Sequence, residues 1–294
     1  MNLQNFSKKI APLCILLAGI MWGTMGIFVR KLNELGLVTM NIVALRIFCT
    51  SIILSIFCLI FDRNVFFIRF KDLWCFAGTG IASIIFFNFC YFKTITLTSL
   101  SVAAVLLYTA PSVVMILSVF LFKEKITLKK CLAVVAAFIG CVLVSVVSTD
   151  ENISVSTKSI FIGLGSGLGY ALYTIFGRYA LRRGYSSLAV TLWTFLFACV
   201  GILPFADLPL IFSVSFQSAN IILFVILFAM IATVLPYILY TFGLTFVDGG
   251  KASVIASIEP ATASILGILI FSEPITISGI FGVVLVLISI FLLS

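Results

Sequence analysis

The chain has 294 residues, of which 63% are hydrophobic and only 10% are charged. Because soluble domains carry roughly 25% charged residues, this composition excludes a water-soluble fold and predicts an all-α integral membrane protein. The net charge of +8 comes from basic residues scattered through the loops rather than from one stripe, so we expect no nucleic-acid partner.

Apolar segments of about 20 residues, the length that crosses a bilayer, recur along the whole chain and predict ten transmembrane helices. They cover residues 10–29, 38–61, 73–92, 100–122, 129–147, 159–177, 187–206, 219–242, 252–271 and 276–293. The first segment follows two lysines, as a signal peptide would, but it is too long for one and is expected to be retained. Ten spans leave no length for a soluble enzymatic domain.

The basic residues indicate how the spans are oriented. With the N-terminus in the cytoplasm, 13 of the 18 Lys and Arg residues fall in cytoplasmic loops, four fall on the other side, and Arg46 lies inside a span. Cytoplasmic loops carry an excess of Lys and Arg. We therefore expect a multi-pass protein of the plasma membrane with both termini in the cytoplasm.

The cysteines and the absence of histidine bear on metals and cofactors. All eight cysteines lie in apolar segments, none forms a Cys-x-x-Cys pair, and the chain has no histidine. This pattern is typical neither of a disulfide framework nor of a zinc site. We expect no metal site and no cofactor.

The chain contains an internal repeat. Residues 91–145 align with residues 240–294 at a constant offset of 149 with 16 identities in 55 positions, and the matches include Pro111 with Pro260 and Glu124 with Glu273. The first helices follow at an offset of 148, which places Arg30 over Arg178.

A repeat unit with five spans must insert its second copy upside down. The sequence therefore predicts two inverted five-helix repeats, residues 1–147 and 159–294, joined by a linker over residues 148–158. Such repeats are typical of secondary transporters, which need two inversely related states of similar energy. A receptor, an anchor or an enzyme gains nothing obvious from this symmetry.

Motifs in both halves resemble one known unit. The segment with Tyr108-Thr-Ala-Pro111 in mid-span and Lys123-Glu124-Lys-Ile-Thr127 at its end resembles the EamA-type unit of the drug/metabolite transporter superfamily. So does the segment with Ser257-Ile-Glu259-Pro260 followed by Ser272-Glu273-Pro-Ile-Thr276, and Trp22-Gly23 and Arg46 also match. The resemblance covers essentially the whole chain as two tandem units. It implies a ten-helix transporter with a central cavity that exports amino acids or other metabolites.

Glu259 is the sharpest functional candidate. It lies deep inside an apolar segment, where an ionised group costs several kcal/mol unless it is paired or hydrated. One hypothesis makes it a proton-coupling or substrate-contacting carboxyl. The other makes it a structural carboxyl that is bonded to neighbouring hydroxyl groups.

Arg46 is the second charged residue inside a predicted span. It could bind a substrate carboxylate, or it could reach toward the extracellular interface and bond helix-end carbonyls. Arg46 and Glu259 are candidates for a pair, although by helical rise they would lie on opposite sides of the midplane, roughly 9 Å apart in depth.

Three prolines are candidate kinks near the membrane midplane: Pro111, Pro236 and Pro260. Each removes one backbone donor and frees a carbonyl four residues earlier. Loosened backbone at the midplane of both repeats points to a transport site, whereas the alternative is a kink that serves packing alone.

Polar aromatic residues and one amide are candidates for a cavity lining: Trp22, Asn88, Tyr108, Tyr170 and Tyr237. Several of them could instead belong to the interfacial aromatic belt. The glycines from Gly163 to Gly169 are interpreted as helix packing positions, because small residues let membrane helices approach closely.

These patterns favour a secondary transporter, an exporter of a small amphipathic solute, with protons as the candidate coupling ion and with membrane lipid around it. The sequence does not determine an oligomeric state. The alternatives are a polytopic membrane enzyme or lipid-handling transferase, disfavoured by the lack of histidine and loop acids, and a channel, disfavoured by the lack of a polar stripe along any span. We expect no enzymatic activity.

Overall fold

The computed structural model describes residues 3–145 and 156–293, so most of the predicted linker lies outside the described residues. Nine helices in this described part are long and apolar enough to cross a membrane: α1 (Phe6–Glu34), α2 (Thr39–Phe61), α3 (Phe70–Leu97), α4 (Leu100–Phe122), α5 (Leu128–Ser145), α6 (Thr157–Arg182), α7 (Ser187–Phe205), α8 (Ala219–Leu244) and α9 (Gly249–Phe271). A shorter apolar helix, α10 (Ile277–Leu293), follows them.

The expectation of an all-helical multi-pass membrane protein is confirmed. Each helix coincides with a predicted segment to within a few residues, and a short additional helix, Leu208–Ser215, lies between α7 and α8. The α6 helix begins at Thr157, two residues before its predicted start, because the Ser156 side chain accepts a hydrogen bond from the Ser159 N–H and caps it. Ten spans remain a prediction, since α10 has 17 residues.

The backbone repeats several local irregularities in the two halves. Within α3 the segment Gly78–Ile85 is π-helical, and within α8 the segment Met230–Val234, which matches its second part at the offset of 149, is π-helical as well. Gly80 lies in the first of them, and a Cβ there would meet the Thr194 carbonyl oxygen of α7 at 2.5 Å. A wider turn therefore lies where two helices approach closely.

Helices α4 and α9 are broken at matched positions. The α4 helix consists of Leu100–Leu107 and Ala110–Phe122, and α9 consists of Gly249–Ala256 and Ile258–Phe271. Pro111 and Pro260 lie in the first turn of the second segment in each case, where a missing N–H is tolerated. At these points the helical hydrogen-bond pattern is interrupted for one or two residues, while Thr109 and Ser257 keep right-handed backbone angles.

The ends of the same two helices also match. Lys123 and Ser272 adopt the left-handed conformation with φ of 57° and 53°. The next N–H in each turn reaches back six residues, from Glu124 to Ser118 and from Glu273 to the Gly267 carbonyl, both at 3.3 Å. Both helices therefore end in a Schellman-type turn, a common way to satisfy terminal carbonyls.

Helices of the two sequence halves pack against one another throughout. The α1 helix contacts α8 and α9, α2 contacts α7, α3 contacts α6, and α5 contacts α10. In the last pair a Cβ on Gly140 would meet the Gly282 carbonyl oxygen at 2.8 Å, and one on Gly282 would meet the Gly140 oxygen at 2.7 Å. The centre of the bundle is therefore lined by helices from both halves.

Candidate functional site

The break in α9 places Glu259 in the middle of the bundle. Glu259 lies in the first turn of the segment Ile258–Phe271 and remains partly exposed. The Tyr170 hydroxyl of α6 donates a hydrogen bond to its Oε2 at 3.1 Å. The N-terminus of a helix favours negative charge, so the break that leaves the backbone open also supports the carboxylate.

Glu259 faces a small cavity of about 10 Å³, which corresponds to a single water site. The walls come from both broken helices and from α6: Leu107, Tyr108, Ala110, Pro111, Tyr170, Ser253, Ala256, Ser257 and Glu259. The structure therefore brings together four of the predicted site residues, namely Glu259, Tyr108, Tyr170 and Pro111, with Pro260 adjacent in sequence.

An aromatic cluster lies beside this cavity. The Trp22 ring lies 5.2 Å from Tyr237, 5.3 Å from Tyr240 and 6.5 Å from Tyr170 between centroids. The Tyr237 ring also packs edge-on against Tyr173 at 5.0 Å. Edge-to-face geometry of this kind stabilises aromatic clusters, and it holds the rings of α1, α6 and α8 together.

The tyrosines of this cluster differ in the partners of their hydroxyl groups. Buried Tyr173 and Tyr240 exchange hydrogen bonds with Thr241 and Thr174 at 2.7 and 2.8 Å. Their hydroxyls are therefore used within the bundle. Tyr170, by contrast, directs its hydroxyl to Glu259 and keeps part of its surface exposed.

Arg46 lies inside the bundle and is only 4% exposed. Its Nη1 donates to the Met25 Sδ at 3.1 Å, and its Nε has no hydrogen-bond partner among the described residues. The side chain lies within electrostatic reach of Tyr237 and Glu259, but within the described residues no ion pair joins Arg46 to Glu259. The structural hypothesis for Arg46 expected hydrogen bonds to helix-end carbonyls. Among the described residues the side chain instead donates to the Met25 sulfur, because it points inward.

Two other predicted residues have local roles. The Asn88 side chain is buried and donates to the Ile84 carbonyl of its own helix at 2.7 Å, next to the π-helical turns of α3. Pro236 lies two residues after the π-helical segment of α8. Because α3 has similar turns without a proline, Pro236 is not required for this geometry.

The glycines of α6 act in packing. A Cβ at Gly163 would meet the Leu106 side chain, and one at Gly167 would meet the Leu106 and Leu107 carbonyl oxygens at 2.9 and 3.3 Å. A Cβ at Gly169 would meet the Phe87 backbone at 2.9 Å. The contacts of Gly163 and Gly167 bring α6 against the break in α4, and the contact of Gly169 brings it against α3. Sequence alone did not reveal these neighbours.

Metal ligands are absent from the part of the chain that is described. No group of three or more His, Cys, Asp or Glu side chains occurs there. The cysteines have free thiols, and several of them are buried. The central polar groups are the Glu259 carboxyl, the Arg46 guanidinium, the phenolic hydroxyls and the hydroxyls of Ser253 and Ser257.

Both halves of the chain match the same family model. The model of the EamA-like transporter family matches residues 9–146 and again residues 157–294. The chain belongs to the EamA-like transporter family. The resemblance to two tandem EamA units is therefore confirmed.

Individual relatives agree with this assignment. An uncharacterized transporter of Archaeoglobus fulgidus is 27% identical to this chain, and the match covers 93% of this chain and 92% of the relative. The uncharacterized inner membrane transporter YicL of Salmonella typhimurium is 24% identical over 98% and 96%. A solved crystal structure shares the fold with a TM-score of 0.78 at 14% identity, and the match covers 97% of this chain and 96% of the other.

Proposed function

We propose that this EamA protein is a secondary transporter of the plasma membrane that exports a small metabolite, an amino acid or a similar amphipathic solute, by alternating access. The observation that carries the proposal is the position of Glu259 in a mid-bundle cavity where the broken helices α4 and α9 meet. In this proposal the chain has ten spans, two inverted five-helix repeats and both termini in the cytoplasm.

The broken helices supply the polar groups that a transport site needs. Backbone without regular hydrogen bonds is tolerated at membrane depth only where protein or a water-filled cavity surrounds it. The breaks fall at matched positions of α4 and α9, and Gly167 lets α6 lie directly against the first. Two matched loosened points are what a rocking motion of two related halves requires.

The two charged side chains define the chemistry of the solute in this proposal. A carboxylate away from bulk water requires a neutralising partner, and within the described part of the chain Glu259 accepts a hydrogen bond from a neutral tyrosine. A proton and a cationic group of the solute therefore compete for Glu259. Arg46, whose buried Nε has no hydrogen-bond partner in residues 3–145 and 156–293, takes an anionic group, and the rings around Trp22 pack against the apolar body.

The test uses purified protein in proteoliposomes. Metabolite profiling of cells with and without overexpression supplies the candidate solutes, and a pH gradient then drives uptake. For Glu259→Gln we expect the pH-gradient-driven uptake to be lost, because the amide cannot take up and release a proton as a carboxyl does, while the protein stays folded. Tyr170→Phe keeps the carboxyl and should retain a pH-dependent profile.

Two results would count against this proposal. If Glu259→Gln transports with an unaltered pH profile, the carboxyl has no coupling role. If neither the wild type nor any variant moves any solute that is raised in the profiling, the transport proposal itself fails.

A further inference from the structure

The ends of α4 and α9 carry the same three-residue turn, which we name the Phe-x-Glu turn. It consists of Phe122-Lys123-Glu124 after α4 and of Phe271-Ser272-Glu273 after α9. The middle residue is left-handed in both. This conformation turns the chain so that the Phe ring and the Glu carboxyl of each turn lie beside the same arginine.

Each turn receives an arginine from the other half of the chain. Arg178 of α6 forms an ion pair with Glu124, and its guanidinium lies 4.8 Å from the Phe122 ring centroid. Arg30 of α1 forms an ion pair with Glu273, and its guanidinium lies 4.2 Å from the Phe271 ring centroid. Since the two arginines also match in the repeat, the pairing is reciprocal.

The two clusters lie at opposite ends of the bundle. Asp248 directly precedes α9 and lies 3.9 Å from the Arg178 Nη2 and 3.0 Å from the Lys130 Nζ. Glu273 follows α9 at its other end. The helix has 23 residues, which corresponds to a length of about 35 Å. We call these two ends the Arg178 end (Glu124, Lys130, Arg178, Asp248) and the Arg30 end (Arg30, Glu273).

The Arg178 end is closed. The Arg178 and Glu124 side chains are 10% and 7% exposed, and the Glu124 Oε1 also accepts a hydrogen bond from the Gly249 N–H at 3.0 Å. Gly249 leaves no room for a side chain, because a Cβ there would meet the Ser118 Oγ at 2.9 Å. The beginning of α9 is therefore held firmly against the end of α4.

The Arg30 end is more exposed than the Arg178 end. The Arg30 and Glu273 side chains are 50% and 35% exposed. Leu100, which matches Gly249 in the repeat, is 62% exposed at the beginning of α4. Beside the pair lies a groove of about 410 Å³ lined by Ile27, Arg30, Lys31, Glu34, Leu35, Asn220, Ile221, Phe224 and Phe271.

We propose that the two reciprocal Arg and Phe-x-Glu clusters are the two gates of this protein, and that they exchange their closed and open states during the cycle. The proposal rests on the alternating access proposed above and adds the residues that perform it. Closing one end buries its Arg–Glu pair and docks the beginning of the facing helix on the glutamate. Opening the end exposes the pair to solvent, where an ion pair contributes little to stability.

Hydrogen–deuterium exchange of the full-length protein in lipid nanodiscs tests the gates without any solute. For Glu124→Gln we expect exchange over residues 119–131 and 244–253 to become about tenfold faster. We expect exchange over residues 27–37 and 268–278 to become slower, as a population shift between two states requires. Asp248→Asn removes a more exposed partner at the same end. It should change hydrogen–deuterium exchange at both ends in the same directions by a smaller factor, so the test does not depend on the folding of the first variant.

The control is Glu34→Gln, which removes the i,i+3 partner of Lys31 at the Arg30 end without touching an inter-half pair. It should leave the exchange of the Arg178 end unchanged. Faster exchange at both ends, a change confined to the mutated end, or no change in a folded variant would overturn the gate proposal. The transport assay on the same wild-type preparation is independent, so opposite shifts at the two ends without any transport would support the gates and reject the transport proposal.

Discussion

The Arg178 end and the Arg30 end share the same cluster of an arginine and a Phe-x-Glu turn, but they differ in the residues that surround it. At the Arg178 end two further ion pairs join the halves, between the Lys130 Nζ and Asp248 at 3.0 Å and between the Arg183 Nε and Asp72 at 2.8 Å. The matched positions at the Arg30 end hold Gly279, Ser99, Leu35 and Ile221. Leu35 and Ile221 line the groove, so an apolar pair lies where the other end has an ion pair.

Tyr185 extends the network at the Arg178 end. Its hydroxyl donates to the Asp72 Oδ2 at 2.8 Å. Burial, with a contribution from the hydrogen bond to Asp72, raises the pKa of Tyr185 above its ordinary value. The hydroxyl therefore stays protonated and remains a donor throughout the physiological pH range.

The difference in ion pairs between the two ends bears on which of two related states the protein favours. Two halves with identical gates would have two states of equal energy. Under the gate proposal, extra pairs at one end favour the state in which that end is closed, and a bias of a few kcal/mol leaves the other state populated at about 0.1–10%. The buried pair at the Arg178 end of this structure agrees with that expectation.

The largest effect is expected from removing the glutamate of each Phe-x-Glu turn. Glu124→Ala leaves Arg178 buried without its main partner and the Gly249 N–H without an acceptor, so we expect a loss of about 3–5 kcal/mol of stability. Glu273→Ala breaks an exposed pair and should lose about 0–1 kcal/mol. Thermal unfolding of both variants in the same detergent measures the difference. Equal losses would show that the two ends are equally closed.

A medium effect is expected from two adjacent glycines at the beginning of α9. A Cβ at Gly249 would meet Ser118, Arg178 and Thr174, whereas at Gly250 the nearest atom lies 3.6 Å away. Gly249→Ala should therefore reduce stability by about 1–2 kcal/mol. Gly250→Ala should raise it by up to about 1 kcal/mol, since alanine favours a helix. A comparison of the melting temperatures decides, and a stable Gly249→Ala variant would mean that this contact is loose.

The smallest effect is expected from transferring an ion pair to the open end. Leu35→Arg combined with Ile221→Asp places at the Arg30 end the residue types found at Arg183 and Asp72 of the other end. We expect it to favour closure of the Arg30 end by about 0–1 kcal/mol, the contribution of a surface pair. Slower hydrogen exchange over residues 27–37 in the double variant, but in neither single variant, is the expected outcome. Unchanged exchange would indicate that the apolar groove, and not the missing charges, holds this end open.

The long helices and the two matched prolines show which features the sequence pattern predicts. Apolar segments predict the long helices because a bilayer leaves one hydrophobic length per span, and the gapless repeat predicts that Pro111 and Pro260 share a role. The structure adds that each helix is interrupted for one or two residues just before its proline. A proline in a helical pattern reveals only that one hydrogen bond is lost, whereas the neighbouring helices decide whether the chain bends or starts a new helix.

The sequence by itself determined the membrane-spanning helical architecture, the two EamA units and the isolated charges Arg46 and Glu259, because hydropathy, repetition and buried charge are properties of residue type. It also showed that Arg30 recurs as Arg178 and that Glu124 recurs as Glu273. Only the tertiary structure decided that these residues pair across the halves, that Tyr170 donates to Glu259, and that the pair at one end is buried while the pair at the other end is exposed. These facts depend on which helices are neighbours, and residues far apart in sequence become neighbours only through packing.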